Sequence, residues 1–275
     1  RHGKTEVEQV KKKSEMIGFR SLLNLKNAIY RYVETPKHTA EVLKAVQHML
    51  MTDFTVRPHQ LHLLPCPNGV IDLKTGELLP KASPDDLFTH ACATEYKPDA
   101  DTGPAVEFYQ QFFPLEAYPD QEALVRFMQQ WFGYSLTLDT RLELCVWFYG
   151  PGSNGKTILT ELLAHVLGSV EKGGVHTAIP MSSLCKGRGV NNDALYDAMH
   201  ARNVTISEND QTTKISEAAT RALVTGEEQH MKQIYKKEVK VKPCFKITCC
   251  VNELPQWDNH NAFCTTRRNL YVLLK

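Results

Sequence analysis

The clearest chemistry in this sequence lies in one stretch, Gly150-Pro151-Gly152-Ser153-Asn154-Gly155-Lys156-Thr157. Its glycines let the backbone turn tightly, so that successive N–H groups can point inward at an anion. Lys156 places a positive charge beside the outer phosphates of a nucleoside triphosphate, and the Thr157 hydroxyl is a ligand suited to Mg²⁺. We therefore predict a phosphate-binding loop from Gly150 to Thr157.

The residues on either side of this loop predict the elements that position it. Residues 144–149 form an apolar run typical of a buried strand, and residues 158–167 predict a helix that ends at Gly168. A helix that begins near Lys156 directs its positive N-terminal end at bound phosphate. A glycine-rich turn that fits the pattern by chance is the alternative, and the strand–loop–helix context disfavours it.

Length and composition limit the classes of protein to consider. The chain has 275 residues, 42% of them hydrophobic and 23% charged, which is typical of one large or two ordinary globular domains. The net charge of +1 means that a nucleic-acid partner must be bound by a local patch. The 8 cysteines form no C-x-x-C pair, which favours reduced thiols. Without a signal peptide or a membrane-length apolar run, we expect an intracellular location (cytoplasm, nucleus or viral replication site) and no membrane partner.

The first part of the chain predicts helices and one small hairpin. Helical patterns cover residues 5–32, a segment beginning at Thr39, and residues 104–113 and 121–136. Turn signals in residues 68–79 predict a hairpin with Val70, Ile71 and Leu73 near its core. The aromatic stripe of residues 121–136 favours a core position over base stacking. We place a domain boundary near Pro119, which gives domains of residues 1–118 and 119–275.

The second part of the chain alternates strands with helices. Strands are predicted around residues 175–179, 203–207, 245–251 and 269–274, with helices at 192–200 and 217–224. Polar and apolar residues alternate in residues 232–242, as in a hairpin. This alternation predicts a mostly parallel sheet whose chemistry lies at the strand ends.

Two polar residues follow the predicted central strands directly. Glu208 comes after residues 203–207, where a carboxylate can hold Mg²⁺ and position water for hydrolysis. Asp210 is the second candidate, and a surface acid after a strand is the alternative. Asn252 ends the next strand, where its amide can hydrogen-bond the attacking water or the terminal phosphate, although Asn is also common in turns.

Two arginines, Arg267 and Arg268, precede the last predicted strand. A cationic fork is suited to the charge that develops on a transferring phosphoryl group, and a neighbouring subunit can supply it. A surface pair in a salt bridge is the alternative, and the sequence does not decide which arginine would act.

The predicted hairpin of residues 232–242 is strongly basic. Its five lysines and one glutamate give a local charge of +4: Lys232, Lys236, Lys237, Lys240 and Lys242 against Glu238. We predict that this hairpin contacts single-stranded DNA and that Tyr235 stacks on a base. A solvated basic ribbon, with Tyr235 in the core, is the alternative.

Together these motifs resemble a superfamily 3 helicase of the AAA+ class, in the branch of poxvirus-type and phage- or plasmid-type primase–helicases. The resemblance rests on the loop, on Ser207-Glu208, on Cys250-Val251-Asn252-Glu253-Leu254-Pro255 and on Arg267-Arg268. Residues 223–235 resemble the motif before the DNA-binding hairpin of that family, and residues 67–77 resemble its accessory domain. Glu227-Glu228 and Lys232 depart from the usual Gly-Asp and Arg of this branch. Lysine keeps the charge but loses the bidentate fork of arginine.

The resemblance implies a fold and a function. The fold would be α/β: a AAA+ P-loop ATPase with a mostly parallel sheet flanked by helices, preceded by a smaller, mainly helical accessory domain with a short hairpin. The function would be an ATP-dependent replicative DNA helicase of a virus, phage or mobile element. It would use ATP and Mg²⁺, with Lys156, Glu208, Asn252 and an arginine acting in hydrolysis.

The same resemblance implies a ring, a hexamer, with ATP sites at subunit interfaces and single-stranded or forked DNA in the channel. A primase domain or a polymerase would be a further partner. The alternative function is an ATP-dependent oligomeric loader or origin-recognition module that does not unwind DNA. A P-loop kinase of small molecules is disfavoured because it would explain neither the basic hairpin nor Asn252.

Overall fold

The computed structural model describes residues 58–80, 86, 88–185, 192–207, 214–231, 239–259 and 268–275, and isolated helical positions between residues 24 and 44. The chain divides into two compact units, Arg1–Thr55 and Val56–Lys275. In the first unit, Lys37, Thr39, Glu41 and Lys44 are helical, so a helix is present where the second one was predicted; because Lys37 is already helical, the predicted start at Thr39 is wrong. The second unit includes residues on both sides of the boundary proposed near Pro119, so that boundary stays a prediction.

A small antiparallel sheet opens the second unit. Its strands are β1 (Leu63–Cys66), β2 (Gly69–Asp72) and β3 (Glu77–Leu79), in the order β1-β2-β3. The hairpin predicted for residues 68–79 is thus confirmed, with Val70 and Ile71 buried and Leu73 partly buried. The first strand was not predicted. It contains Pro65, which lacks a backbone N–H and is therefore tolerated in an edge strand such as β1.

A parallel sheet of five strands forms the centre of this unit. These strands are β4 (Cys145–Tyr149), β5 (His176–Pro180), β6 (Asn203–Ser207), β9 (Lys246–Val251) and β10 (Asn269–Leu273). The two strands between β6 and β9, namely β7 (Gln229–Met231) and β8 (Val239–Val241), form a separate antiparallel hairpin. The sheet order is β10-β4-β9-β6-β5, and every neighbouring pair is parallel. The sequence predicted a mostly parallel sheet, and the structure confirms it. The order places β9 between β4 and β6.

Helices cover both faces of this sheet. The described helices are α1 (Gly103–Phe112), α2 (Gln121–Ser135), α3 (Lys156–Leu167), α4 (Asn192–Ala198) and α5 (Glu217–Val224). Successive residues of β4 point to opposite faces. Phe148 therefore belongs to the core cluster that contains Leu159 of α3, and Trp147 belongs to the other core cluster, which contains Leu223 of α5. The chain thus has an α/β fold, in which helices flank a parallel sheet.

The aromatic stripe of α2 belongs to the core, as the sequence favoured. Met128, Trp131 and Phe132 are buried. The indole Nε1 of Trp131 donates a hydrogen bond of 3.1 Å to Thr248 Oγ1, which satisfies its polar atom inside the core. These rings are consequently not available for base stacking.

Two buried cations join the end of α2 to the sheet. Arg202, which is 3% exposed, donates to the carbonyl oxygens of Leu136 (2.6 Å) and Leu63 (2.5 Å). Lys246, which is 2% exposed, donates to the carbonyl oxygens of Thr137 and Cys244. Burial, and then the nearby Arg202 charge, lower the pKa of Lys246 to about 7. The carbonyl groups of Leu136 and Thr137 follow the end of α2, where carbonyls have no partner within the helix, and these donors satisfy them.

Candidate nucleotide site

The predicted phosphate loop lies between β4 and α3, at the carboxyl edge of the parallel sheet. Gly150 has φ +152°, and a Cβ there would lie 2.0 Å from the carbonyl oxygen of Leu274. Gly155 has φ +79°, and a Cβ there would lie 2.6 Å from Cε2 of Phe112. Both positions need glycine because of their backbone angles and because the chain approaches so closely. The loop is thus held tightly between the end of β10 and α1.

Lys156 points into the loop. Its side chain is buried, and Nζ donates to Gly150 O (2.7 Å), Pro151 O (3.0 Å) and Asn154 Oδ1 (2.8 Å). Thr157, in the first turn of α3, is exposed. A buried ammonium inside a glycine loop, at a helix N-terminus, fits the phosphates of a nucleoside triphosphate.

The neighbouring strand brings Asn252 to the same edge. Tyr149 of β4 is in register with Val251 of β9, so Gly150 and Asn252 begin adjacent loops about 4.8 Å apart in the strand-pairing direction. Asn252 is exposed there. Ser207, the last residue of β6, is in register with Cys250. Glu208 and Asp210 follow Ser207 and lie outside the described residues.

A cysteine thiol packs beneath the loop. Cys250 Sγ lies 3.8 Å from the Lys156 carbonyl oxygen and 3.9 Å from Thr160 Oγ1. Burial raises the pKa of this thiol to about 11, so the group is neutral and unreactive at neutral pH. The cysteines in the described part of the chain are free thiols, as predicted.

Arg268 lies at the opposite edge of the sheet from the loop. Its carbonyl oxygen accepts from Cys145 N at 2.8 Å, at the amino ends of β4 and β10. Its guanidinium is 2.5 Å from Glu143 Oε2. The five residues of β4 separate this edge from the loop, a length of about 16 Å at about 3.3 Å per residue. Arg268 therefore does not reach the loop of its own chain, and Arg267 lies outside the described residues.

A hairpin is present, but its first strand lies before the predicted segment: β7 (Gln229–Met231) precedes Lys232, and only β8 (Val239–Val241) lies within residues 232–242. β7 and β8 pair through Gln229↔Val241 and Met231↔Val239. Lys240 forms an exposed ion pair of 3.1 Å with Glu228, an acid just before the predicted basic segment. This acid lies outside residues 232–242, over which the charge of +4 is counted, and it neutralises part of the positive charge at Lys240. The other predicted DNA contacts, Lys232, Tyr235, Lys236 and Lys237, lie outside the described residues.

Three features of the site were not predicted from sequence. Phe112 packs against Gly155, the Leu274 carbonyl accepts from Asn154, and Glu143 pairs with Arg268. The contact to Leu274 involves a main-chain carbonyl, which carries no residue-type signal. Phe112 and Glu143 are common residue types, and their partners, Gly155 and Arg268, are distant from them in sequence.

A metal would need few protein ligands at this site. Among the residues that the structure describes, no group of three or more His, Cys, Asp or Glu side chains is arranged to hold a metal. Mg²⁺ usually keeps several waters and takes one or two protein ligands beside the phosphates. Thr157 and Glu208 would therefore be sufficient, and they stay predictions. No helix within the described ranges combines the length and the apolar character needed to cross a membrane.

Comparison with known proteins gives two partial family matches. Residues 11–114 match the family described as D5 N terminal like, and residues 148–268 match a family of unknown function, DUF5906. Each match covers less than half of the chain. The first supports a protein related to phage and viral primase–helicases. No curated protein matches the chain.

Solved structures of the NrS-1 C terminal region are also similar. An A form apo structure has a TM-score of 0.48 at 14% identity and covers 86% of this chain and 52% of that one. An apo structure of residues 305–718 has a TM-score of 0.48 at 14% identity and covers 86% of this chain and 53% of that one. An A form of the same region has a TM-score of 0.46 at 14% identity and covers 86% of this chain and 52% of that one. This chain thus spans about half the length of these structures. Similarity at this level carries no weight in assigning an activity.

Proposed function

We propose that this chain is an ATP-dependent replicative DNA helicase of a virus, phage or mobile element, a AAA+ motor of superfamily 3. The observation that carries the proposal is the glycine loop with the buried Lys156 between β4 and α3. The match of residues 11–114 to a D5 N terminal like domain supports the replicative setting.

The loop residues supply the nucleotide site in this proposal. Backbone N–H groups between Gly150 and Thr157, except at Pro151, which has none, and the Lys156 ammonium bind the phosphates of ATP, while Thr157 and Glu208 would hold Mg²⁺. Water would take the terminal phosphoryl group of ATP, the bond to the rest of the nucleotide would break to leave ADP, and Mg²⁺ would neutralise the charge on the phosphates. Asn252, on the strand next to the loop, orients the attacking water through its side-chain amide.

The position of Arg268 supports a site shared between subunits. Because it pairs with Glu143 and lies about 16 Å from the loop of its own chain, an arginine at this edge that contacts ATP must contact the ATP of another copy. A head-to-tail contact that repeats the same rotation closes into a ring, and we propose a hexamer. Arg267 is the other candidate for this role.

The basic segment supplies a reason for hydrolysis. Lys232, Lys236, Lys237 and Lys240 bind the backbone of single-stranded or forked DNA, and Tyr235 stacks on a base. The β7–β8 pairing supports the hairpin that carries them. A primase domain or a polymerase is the further partner that we propose, in an intracellular setting.

A strand-displacement assay tests the proposal. The protein is mixed with a forked DNA duplex, ATP and Mg²⁺, and release of the annealed strand is followed on a gel. We expect release that depends on ATP. ATP hydrolysis on single-stranded DNA without any displacement would refute the helicase and favour the oligomeric loader or origin-recognition module.

A further inference from the structure

We propose that Asn154 is the positioning residue of the phosphate loop, an inference that rests on the proposed ATP site. Its side-chain amide joins two groups that are far apart in sequence. Oδ1 accepts from Lys156 Nζ at 2.8 Å, and Nδ2 donates to the carbonyl oxygen of Leu274 at 2.6 Å. Asn154 therefore holds the lysine with one end and the end of the sheet with the other.

The chemistry of the two partners fixes the orientation of the amide. An ammonium group only donates, and a main-chain carbonyl oxygen only accepts. The oxygen of Asn154 must therefore face Lys156 and its nitrogen must face Leu274. Aspartate could keep the first contact but has no donor for the second, and serine is too short to span both.

The amide of Asn154 occupies the space beside Gly150 that a larger residue at that position would fill. Asn154 is partly buried, and its Nδ2 lies 2.6 Å from the place where a Cβ on Gly150 would stand. The glycine thus makes room for the amide as well as for the Leu274 carbonyl. The requirement for glycine and the requirement for asparagine in this loop have the same structural cause.

Two consequences follow for the loop. Asn154 completes, with Gly150 O and Pro151 O, the set of acceptors that keeps the Lys156 ammonium inside the loop before nucleotide binds. It also fixes the loop to the end of β10, the strand that begins directly after Arg268. A preformed loop binds its ligand more tightly because less conformational entropy is lost on binding.

The test measures the accessibility of Lys156 in the full chain without nucleotide. The protein is treated with trinitrobenzenesulfonate, and the labelling rate of the peptide that contains Lys156 is followed by mass spectrometry. Asn154→Ala should raise this rate about tenfold, equivalent to about 1.4 kcal/mol, because a charge-assisted hydrogen bond is lost. Asn154→Asp keeps an acceptor beside the ammonium, so Lys156 in this variant should be labelled no faster than in the wild type.

The matched control is Asn68→Ala. Asn68 also bonds two groups, since Nδ2 donates to Tyr96 O at 2.8 Å and Oδ1 accepts from Tyr96 N at 3.0 Å, but it lies in the turn between β1 and β2. In Asn68→Ala, the reagent should label Lys156 at the wild-type rate. The assignment is overturned if Asn154→Ala labels like the wild type, or if Asn68→Ala raises the rate equally. If Asn154→Ala does not fold, Asn154→Ser takes its place with the same expected result.

A binding measurement separates this inference from the proposed function. The ATP dissociation constant, measured by calorimetry, should rise about tenfold in Asn154→Ala, and an unchanged constant would overturn the positioning role. If the wild type binds no ATP, the proposed function fails, while the labelling result still decides whether Asn154 holds Lys156.

Discussion

Replacing Gly150 by alanine should destabilise the protein, mainly because of the close approach of the loop to the Leu274 carbonyl group. A Cβ at this position would lie 2.0 Å from the Leu274 carbonyl oxygen, far inside van der Waals contact. That oxygen cannot move freely, because it accepts from Asn154 and because the Leu274 N–H donates to Tyr149 O at 2.8 Å. The added methyl group must therefore displace the loop or the end of the sheet.

The expected cost follows from two contributions. The φ of +152° is unfavourable for an L-residue by about 1–3 kcal/mol. Displacing the carbonyl would also break the hydrogen bond from Asn154, worth about 1 kcal/mol. We therefore expect Gly150→Ala to lower the free energy of unfolding by about 2–4 kcal/mol.

Gly152 provides the matched comparison within the same loop. A Cβ there would have no atom within 4 Å, and its φ lies outside the left-handed region. Gly152→Ala should change the free energy of unfolding by less than about 0.5 kcal/mol. Urea unfolding followed by tryptophan fluorescence measures both variants. Equal destabilisation by the two alanines would refute the close approach of the loop to the end of β10.

Three further predictions concern the buried lysine, the arginine and the basic segment. The pKa of Lys246 is about 7 in the folded protein and has its ordinary value of 10.5 in the unfolded chain. Between these two pH values, Lys246 is therefore protonated in the unfolded chain and neutral in the folded protein. The free energy of unfolding should therefore rise with pH by up to about 1.4 kcal/mol per unit, relative to Lys246→Met; parallel pH profiles of the two proteins would contradict this. Mixing Arg268→Ala subunits with Glu208→Gln subunits should restore part of the ATPase activity, and no recovery would count against a shared site. Replacing Lys236 and Lys237 by alanine should reduce the salt slope of single-strand binding by roughly 0.7 per lost phosphate contact, and an unchanged slope would exclude these lysines from the interface.

The strands and helices of the sheet were predictable because each has a local cause. β4 is an apolar run, and α3 carries apolar residues at helical spacing before Gly168, where it ends. The predicted bounds agree with the observed ones to within one or two residues in these elements. β1 could not be predicted because it contains Pro65. Proline is tolerated in a strand at the edge of a sheet, and the sequence does not show that β1 lies there.

The arrangement of the site depends on long-range contacts that no local pattern records. The position of β9 beside β4 puts Asn252 next to the loop, yet the two strands are separated by β5 to β8 in the chain. The residue types of the loop predicted its chemistry. The partner of Asn154 is a main-chain carbonyl 120 residues away, which only the folded chain identifies.

The position of Arg268 and its pairing with Glu143 also depend on long-range contacts that the sequence does not record. The sequence placed Arg268 before the last strand, and the structure agrees. Only the parallel register of β4 and β10 shows that this residue lies at the edge away from its own loop. Its partner Glu143 precedes β4, so the pair forms where the two strands begin.

ATP turnover with and without single-stranded DNA tests the central claim most directly. The wild type should hydrolyse ATP faster when single-stranded DNA is present. Lys156→Ala should abolish turnover, because the loop then lacks the ammonium that faces the phosphates. Lys172→Ala, which removes an exposed lysine beyond the end of α3, should retain it. Wild-type turnover in Lys156→Ala would contradict the account.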